Sequence, residues 1–379
     1  MDFLRRVTMR NLLGIIDLSE PTEGLGELTI HRTLGAVPFG GRYRVIDFTL
    51  SNMVNAGIRN VGILLNDRFG PLLDHIKDGK EWDLNRQRDG MFLLPAPLRT
   101  EGGEGITSNL INLRHNRGYL EKSRQEYAIF SGCSMVTNLD YEAVLAYHLE
   151  KKADITVVYN QTQDLAAYPP YTAFVTAENG RVLDMALNPM HCTSSKISLN
   201  MYVMRKDLLI NLVDHYSARQ KRDLFTEAIM PRLGELKIYG YEHRGYVGAI
   251  NSLRSYYQHS MDLLRPEVWQ DLFYTHGQIN TKVKHEAPVR YLEGSKVSNS
   301  LIATGCTIEG TVENSILFRG VEVGPGVVIR DSIVMQKAKL GPGVTLRNVI
   351  LDKDVTISAG KTLTGDPSFP MVITKLATV

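Results

Sequence analysis

Short apolar runs alternate with helical stretches through the first two thirds of the chain. Val61–Leu65, Ala128–Phe130 and Ile155–Tyr159 are short and largely apolar, the pattern of parallel strands covered on both faces. Between them, Asp47–Ala56 and Leu139–Lys152 read as helices, the second with Leu139, Ala143, Ala146 and Leu149 as its apolar positions. Another helical stretch runs from Ser252 to about Phe273, and then residues 276–288 are polar and break the pattern. Such alternation predicts a layered α/β domain.

The last third keeps a different period. Cys306–Val312, Val323–Ile329, Leu340–Leu346 and Ile357–Leu363 recur every 17 residues, and Asn314–Leu317, Asp331–Val334 and Asn348–Leu351 recur in phase with them. Apolar positions step by six and then eleven, the hexapeptide period of a parallel β-helix with one residue trimmed per coil. One coil is too thin to bury its own core, so stability comes from stacking. The expected organisation is an α/β domain over residues 1–265, a linker over 266–288 and a β-helix over 289–379.

The 379 residues are ample for two domains that fold without disulfides. Lys and Arg number 43 against 41 Asp and Glu, too even a balance to attract nucleic acid or an anionic membrane surface. Three cysteines, Cys133, Cys192 and Cys306, make an odd count with no Cys-x-x-Cys spacing. That usage favours a reducing, cytoplasmic setting over a structural zinc site. Arg5, Arg6 and Arg10 are followed by the apolar patch Leu12–Ile16 with no small-residue cleavage site after it. The patch is too short to span a bilayer, and a soluble, unprocessed protein is expected. Hexapeptide-repeat acyltransferases use a histidine in or near the coils as base. No histidine follows His285, which leaves these coils a scaffolding or oligomerisation role.

Tyr127–Ser131 followed by Gly132 and Cys133 reads as a buried strand ending in a tight turn. Ligands of open α/β sheets gather outside the carboxyl ends of strands, so Cys133 is expected at the cleft. Pro38–Asn52, with Ala56–Arg59 after it, resembles the opening of the glucose-1-phosphate adenylyltransferases (ADP-glucose pyrophosphorylases). The repeats, including Asp331–Met335, Asp352 and Lys353, are similar to the same family's C-terminal domain. The resemblance covers nearly the whole chain. It implies a nucleotidyltransferase-type, Rossmann-like domain with a mostly parallel sheet, followed by a left-handed β-helix of hexapeptide repeats, assembled as a tetramer in glycogen synthesis.

Set against that family, the chemistry is missing. Active members open with a glycine-rich loop whose backbone N–H groups cradle phosphates beside an arginine. Anchoring on Thr29 and Arg32 places Ser19, Glu20 and Thr22 on the loop glycines and Gly24 on the arginine, so Glu20 and Glu23 would face a triphosphate. The family's lysine in R-A-K-P becomes Leu34. Two aspartates hold the catalytic metal in active members, and their positions fall on Cys133 and Ala249. Mg²⁺ is a hard cation that prefers oxygen ligands, so its binding is expected to be lost. The sugar-phosphate segment aligns with Leu187–Pro189, where Asn188 replaces the family's lysine, and another family segment aligns with residues 105–108. A nucleophilic role for Cys133 would need a base and a lowered pKa, neither visible in the sequence, and His191 with Cys192 lacks further ligand spacing.

Basic positions persist. Arg42 stands where the family has a lysine that meets anionic activators, with Arg44 two residues on and Arg59 nearby in sequence. Guanidinium groups grip phosphate through a bidentate fork, though these arginines also have acidic neighbours such as Asp47 to pair with. The expectation is a non-catalytic or weakly active regulatory subunit that forms a heterotetramer with a catalytic ADP-glucose pyrophosphorylase subunit and responds to small anionic effectors. Two alternatives stay open. One is residual nucleotidyl transfer through other carboxylates such as Asp17 or Asp140; the other is a sugar-nucleotide or anion sensor without chemistry.

Overall fold

Six consecutive buried residues, Leu12–Asp17, can form a strand only at the centre of a sheet, with a neighbour on each edge and both faces covered. The structure, a computed structural model, describes residues 11–97, 108–162, 171–189 and 194–379. It divides into two compact units. The first comprises Met1–Glu20, Phe48–Val247 and Tyr274–Asn280. Its nine-stranded sheet is built from β1 (Leu12–Asp17), β2 (Asn60–Leu64), β3 (Gly90–Leu94), β4 (Tyr127–Ser131), β5 (Ile155–Gln161), β6 (Thr172–Thr176), β7 (Val182–Leu187), β8 (Lys196–Arg205) and β9 (Ile238–Glu242).

The expected α/β sheet is parallel across β3, β2, β1 and β4. Beyond β4 lies β8, ten residues long and antiparallel to β4, β5 and β6, while β9 returns parallel to β5. Leu13, Ile15, Ala128, Phe130, Ile155, Val157, Tyr202 and Met204 belong to one buried cluster. Parallel strands on both sides of β1 bring the carboxyl ends of β1 and β4 together, with Ile16 opposite Ser131.

One helix differs in phase from its sequence pattern. The segment expected as Leu139–Lys152 is helical over Tyr141–Glu150, but it buries Tyr141, Val144, Leu145 and His148 and leaves Leu149 exposed. Asp140 is the N-cap, accepting hydrogen bonds from the Glu142 and Ala143 amides at 2.8 and 3.2 Å. The start is therefore fixed one residue after Leu139, and the larger side chains spaced three and four apart take the inner face. The stretch after Ser252 is two helices. A capping box between Ser252 and Ser255 opens Leu253–Asp262, and Pro266 opens Pro266–Tyr274. The second helix lies within the residues expected as linker.

The second unit comprises Pro21–Asp47, Gly248–Phe273 and Thr281–Val379. From Arg290 onward three five-stranded parallel sheets stack as the left-handed β-helix. Ile316 pairs with Ile333 and Ile333 with Ile350, while Val312 pairs with Ile329, Ile329 with Leu346 and Leu346 with Leu363, the 17-residue step read from the sequence. The repeat fails at one rung. Val323 stands over Ile308 rather than Cys306, fifteen residues away, because the turn from Ile308 to Val312 is two residues shorter than that from Val323 to Ile329. Polar ladders pin the corners: Asn299, Asn314, Asp331 and Asn348 all take the left-handed backbone conformation that Asn and Asp tolerate best among residues with a side chain. Beside them the amides of Ser315, Ser332 and Val349 each donate to the serine hydroxyl one coil earlier. Among the described residues, no helix is long and apolar enough to cross a membrane.

Candidate functional site

At the carboxyl ends of β1 and β4, the place where a sheet of this kind holds its ligand, the protein holds its own carboxylate. The backbone turns after Asp17 and brings the side chain of Glu20 back to the segment following Ser131. Its carboxylate accepts hydrogen bonds from the amides of Cys133 (2.6 Å) and Ser134 (2.7 Å) and from the Ser134 hydroxyl (2.6 Å). Asn200 of β8 adds a longer one through Nδ2 at 3.3 Å. Gly132 makes room for it: a β-carbon there would stand 2.3 Å from Glu20 Oε1. Four donors converging on one anion form the kind of nest that binds phosphate elsewhere, and here an internal carboxylate fills it.

Asp17 is a second acid at the same place, and it is buried. It accepts hydrogen bonds from the Ser19 amide and hydroxyl at 2.9 and 2.6 Å and from Asn109 Nδ2 at 3.0 Å. The same Asn109 amide donates to Asp223 at 2.9 Å. Burial pushes the Asp17 carboxyl above its ordinary value, against the hydrogen bonds from Ser19 and Asn109, and the charge of Asp223 pushes the same way. Burial also raises Glu20, opposed by Ser134, with the charge of Asp17 adding to the rise. Desolvation and like charge both disfavour ionised carboxylates. A site built for a triphosphate would reverse that sign.

The other replaced positions are closed rather than vacant. Cys133 is buried. Ala249 is fully buried in the second unit. Gly24 lies in a 3₁₀ segment of that unit, where a β-carbon would meet the Asn251 carbonyl oxygen at 2.4 Å. The position aligned with a phosphate-binding arginine thus has no room for a side chain. Leu34 is buried at 1 % exposure in the short turn Leu34–Ala36, turned inward where the family's lysine would face a ligand. Asn188 closes the β6–β7 hairpin, donating its amide to the Tyr171 carbonyl at 2.9 Å and accepting from the Tyr171 amide at 2.8 Å. Of the alternative carboxylates, Asp140 is committed to its helix cap and Asp17 to Ser19 and Asn109. A buried thiol and a methyl group do not fit a hard cation, and no group of three or more potential metal-ligating His, Cys, Asp or Glu residues occurs among the described residues. Residues 105–107, His191 and Cys192 lie outside the described residues.

The second unit carries the opposite sign. Arg32 and Asp352, 3 % and 2 % exposed, form a bidentate pair with both N···O distances 2.9 Å. Around that pair cations crowd. Burial lowers the Lys353 ammonium to about 7, and the charges of Arg44 and Arg32 press it further down than Asp352 lifts it. Burial also lowers the Arg319 guanidinium, with Arg42 the next cause, and Lys284 is depressed by burial together with Arg319 and Lys282. Arg42 is exposed, lies 5.0 Å over the Tyr43 ring and donates to the Tyr43 hydroxyl at 2.9 Å. The structure therefore brings Arg42 and Arg44 into one unit with Lys284, Arg319 and Lys353. Arg59 belongs to the first unit, exposed at the amino end of β2. Sequence reasoning passed over Arg319, a single residue in an otherwise apolar repeat, and Lys284 in the polar stretch. Lys353 was visible only as part of the family resemblance.

Comparison with known proteins places the chain in a class and then in a family. A nucleotidyl transferase family model matches residues 23–272, and a GlmU-like C-terminal hexapeptide model matches residues 285–369. The chain is thus a member of the nucleotidyl transferases that carry a hexapeptide domain. Within that class it belongs to the glucose-1-phosphate adenylyltransferase family. It is 38 % identical to the glycogen biosynthesis protein GlgD of Bacillus subtilis (strain 168) over 84 % of this chain and 82 % of that one. The GlgD protein of Geobacillus stearothermophilus is 38 % identical over the same shares. The glucose-1-phosphate adenylyltransferase of Pseudothermotoga lettingae is 32 % identical over 85 % of this chain and 77 % of that one.

Proposed function

We propose that this chain is a non-catalytic or weakly active regulatory subunit of a glucose-1-phosphate adenylyltransferase in glycogen biosynthesis. It would pair with a catalytic subunit in a heterotetramer and respond to small anions. The observation that carries the reading is Glu20: the donors at the carboxyl ends of β1 and β4 hold an internal carboxylate. Nucleotidyl transfer needs positive charge on the phosphates, supplied by metal, lysine and arginine. Cys133, Leu34 and Gly24 supply none.

The cation cluster around Arg42, Arg44, Lys284, Arg319 and Lys353 supports the responsive half of the reading. Like charges held close in one unit cost free energy that a bound anion relieves, so anion binding is linked to whichever packing brings the cations together. A subunit with that property shifts its partner's kinetics by binding differently in two assembly states. The test is to mix the purified chain with the catalytic subunit from the same organism and follow pyrophosphate release from ATP and glucose 1-phosphate. The chain alone is expected to release none above background, and the mixture is expected to co-elute and to show a changed rate. Robust turnover by the chain alone sinks the reading; so does failure at micromolar concentration to associate with the catalytic subunit or alter its rate.

A further inference from the structure

The nest that Glu20 fills is built without Glu20. Its turn follows directly on β4, and the groups that hold it are others: the Gly132 amide donates to the Asn200 carbonyl at 2.9 Å, the Ser131 hydroxyl donates to the Gly132 carbonyl at 2.9 Å, and the Tyr141 hydroxyl donates to Ser131 Oγ at 3.2 Å. Asn200 is placed by a break in the sheet. The pairing of β8 with β5 slips between Ser198 and Tyr202, and within that slip Asn200 takes the left-handed conformation at φ 55°, an irregularity of the kind that re-aims a side chain beside a site. Its backbone amide donates to Ser198 Oγ at 3.2 Å, and its Oδ1 accepts from the Tyr202 hydroxyl at 3.3 Å. Those bonds leave Nδ2 directed at the nest.

Glu20 is held in the opposite way. It lies outside every helix and strand, and neither Glu20 nor Pro21 makes a backbone hydrogen bond among the described residues. The side-chain carboxylate is what ties this turn of chain to Cys133, Ser134 and Asn200. Donors fixed in advance, facing an occupant held through its acid group, have the relation of a site to its ligand.

We propose that the nest is a carboxylate-binding site which Glu20 occupies as a built-in competitor: with that side chain gone, the nest takes a small monocarboxylate from solution. Two backbone N–H groups, one hydroxyl and one carboxamide N–H suit the two oxygens of a single carboxylate. Neighbouring charge sets the class of ligand. Burial, and then the charge of Asp17, already disfavour an ionised acid here, and a dianion would meet that repulsion twice over. A monoanion is therefore preferred to phosphate. Because Glu20 is part of the chain, its effective concentration is about millimolar or higher, and free acids are kept out of the parent protein. The contact is autoinhibitory. This rests on the sealed site proposed above and adds that what Glu20 seals is still able to bind.

The test compares melting midpoints of the full-length parent, E20A and E20Q at neutral pH in acetate, with chloride of equal ionic strength as reference. Acetate matches the atoms that E20A removes, whereas E20Q loses the same charge and keeps the nest filled. Acetate is expected to raise the E20A midpoint by about 2–4 °C over chloride and to leave the parent and E20Q unmoved. Adding S134A to E20A strips one donor from the nest and is expected to cut that rise by about half or more. Inorganic phosphate is expected to separate E20A from E20Q by less than acetate does. No acetate response in E20A overturns the proposal, and so does an equal response in E20Q, which would place the acetate elsewhere on the protein. A response untouched by S134A, or a wider separation in phosphate than in acetate, overturns it as well. If E20A is unfolded in chloride, folding restored by acetate reads the same binding, and a chain that stays unfolded in acetate sinks the proposal. None of these measurements involves turnover or a partner, so failure here leaves the regulatory reading to its own test.

Discussion

The carboxyl ends of β1 and β4 and the cation cluster of the second unit are opposite answers to the problem of buried charge. In the first, two carboxylates, buried Asp17 and half-buried Glu20, are satisfied from within by amides and hydroxyls. In the second, Arg32 is matched by Asp352, while Lys353 is held so far from comfort that its pKa falls to about 7. The first arrangement is complete and has no use for an external anion; the second is improved by one.

The largest effect expected from breaking this contrast is at Asp352. Replacing one member of a buried ion pair leaves the other charge uncompensated, a loss of about 3–5 kcal/mol. D352A therefore strands Arg32 beside Lys353 and Arg44, and should lower the denaturation midpoint of the second unit strongly. Added phosphate or pyrophosphate should recover part of that loss, since anions would do what Asp352 did. A variant as stable as the parent would show that the pair carries little and that the cations are not in tension.

Next in size is Glu20. E20A leaves the Cys133 and Ser134 donors buried without an acceptor, at about 1–3 kcal/mol, while E20Q keeps one acceptor oxygen and should lose less. Urea denaturation of both variants measures the difference. Equal stability of E20A and the parent would mean that the nest is not held by this carboxylate. Restoring aspartate at both positions, C133D with A249D, is expected to leave pyrophosphate release at background. The new acid at 133 would sit beside Glu20 and Asp17 with no cation to offset it, and Gly24 has no room for an arginine. Substantial turnover in that double variant would overturn the account of the site as sealed.

The β-helix was almost wholly legible because its signal is repeated: each apolar rung is written several times, and Ile316, Ile333 and Ile350 fix one another. Its one misreading, Val323 over Ile308, arose where a coil is shorter and periodicity alone cannot see the missing residues. The sheet was legible from strands buried on both faces, whereas the phase of Tyr141–Glu150 was not, because a cap at Asp140 outweighs two alanines and an exposed Leu149. At the site, the expectation of loss rested residue by residue on the family pattern. The contact of Glu20 was not legible, since its bonds from Cys133 and Ser134 span more than a hundred residues of sequence and have no local signature.

The smallest and sharpest distinction between the two regions is in pH. Lys353 titrates at about 7 when folded, against an ordinary value of 10.5. Below pH 7 both folded and unfolded chains carry the proton, and the folded state bears the full strain of a buried ammonium among arginines. Between about 7 and 10.5 the unfolded chain holds more protons than the folded one, so this residue makes stability rise with pH across that window. K353M removes the charge at every pH, so its stabilisation over the parent should be greatest below pH 7 and fade as pH climbs toward 10.5. Anion binding runs the other way. Sulfate, whose charge does not change between pH 6 and pH 8, should stabilise the parent more at the lower pH, because the protonated ammonium adds to its attraction, and K353M should flatten that dependence. Melting curves at the two pH values, with and without sulfate, decide the matter: a parent whose sulfate response does not change between them would take Lys353 out of the responsive cluster and leave Arg42, Arg44 and Arg319 to account for it.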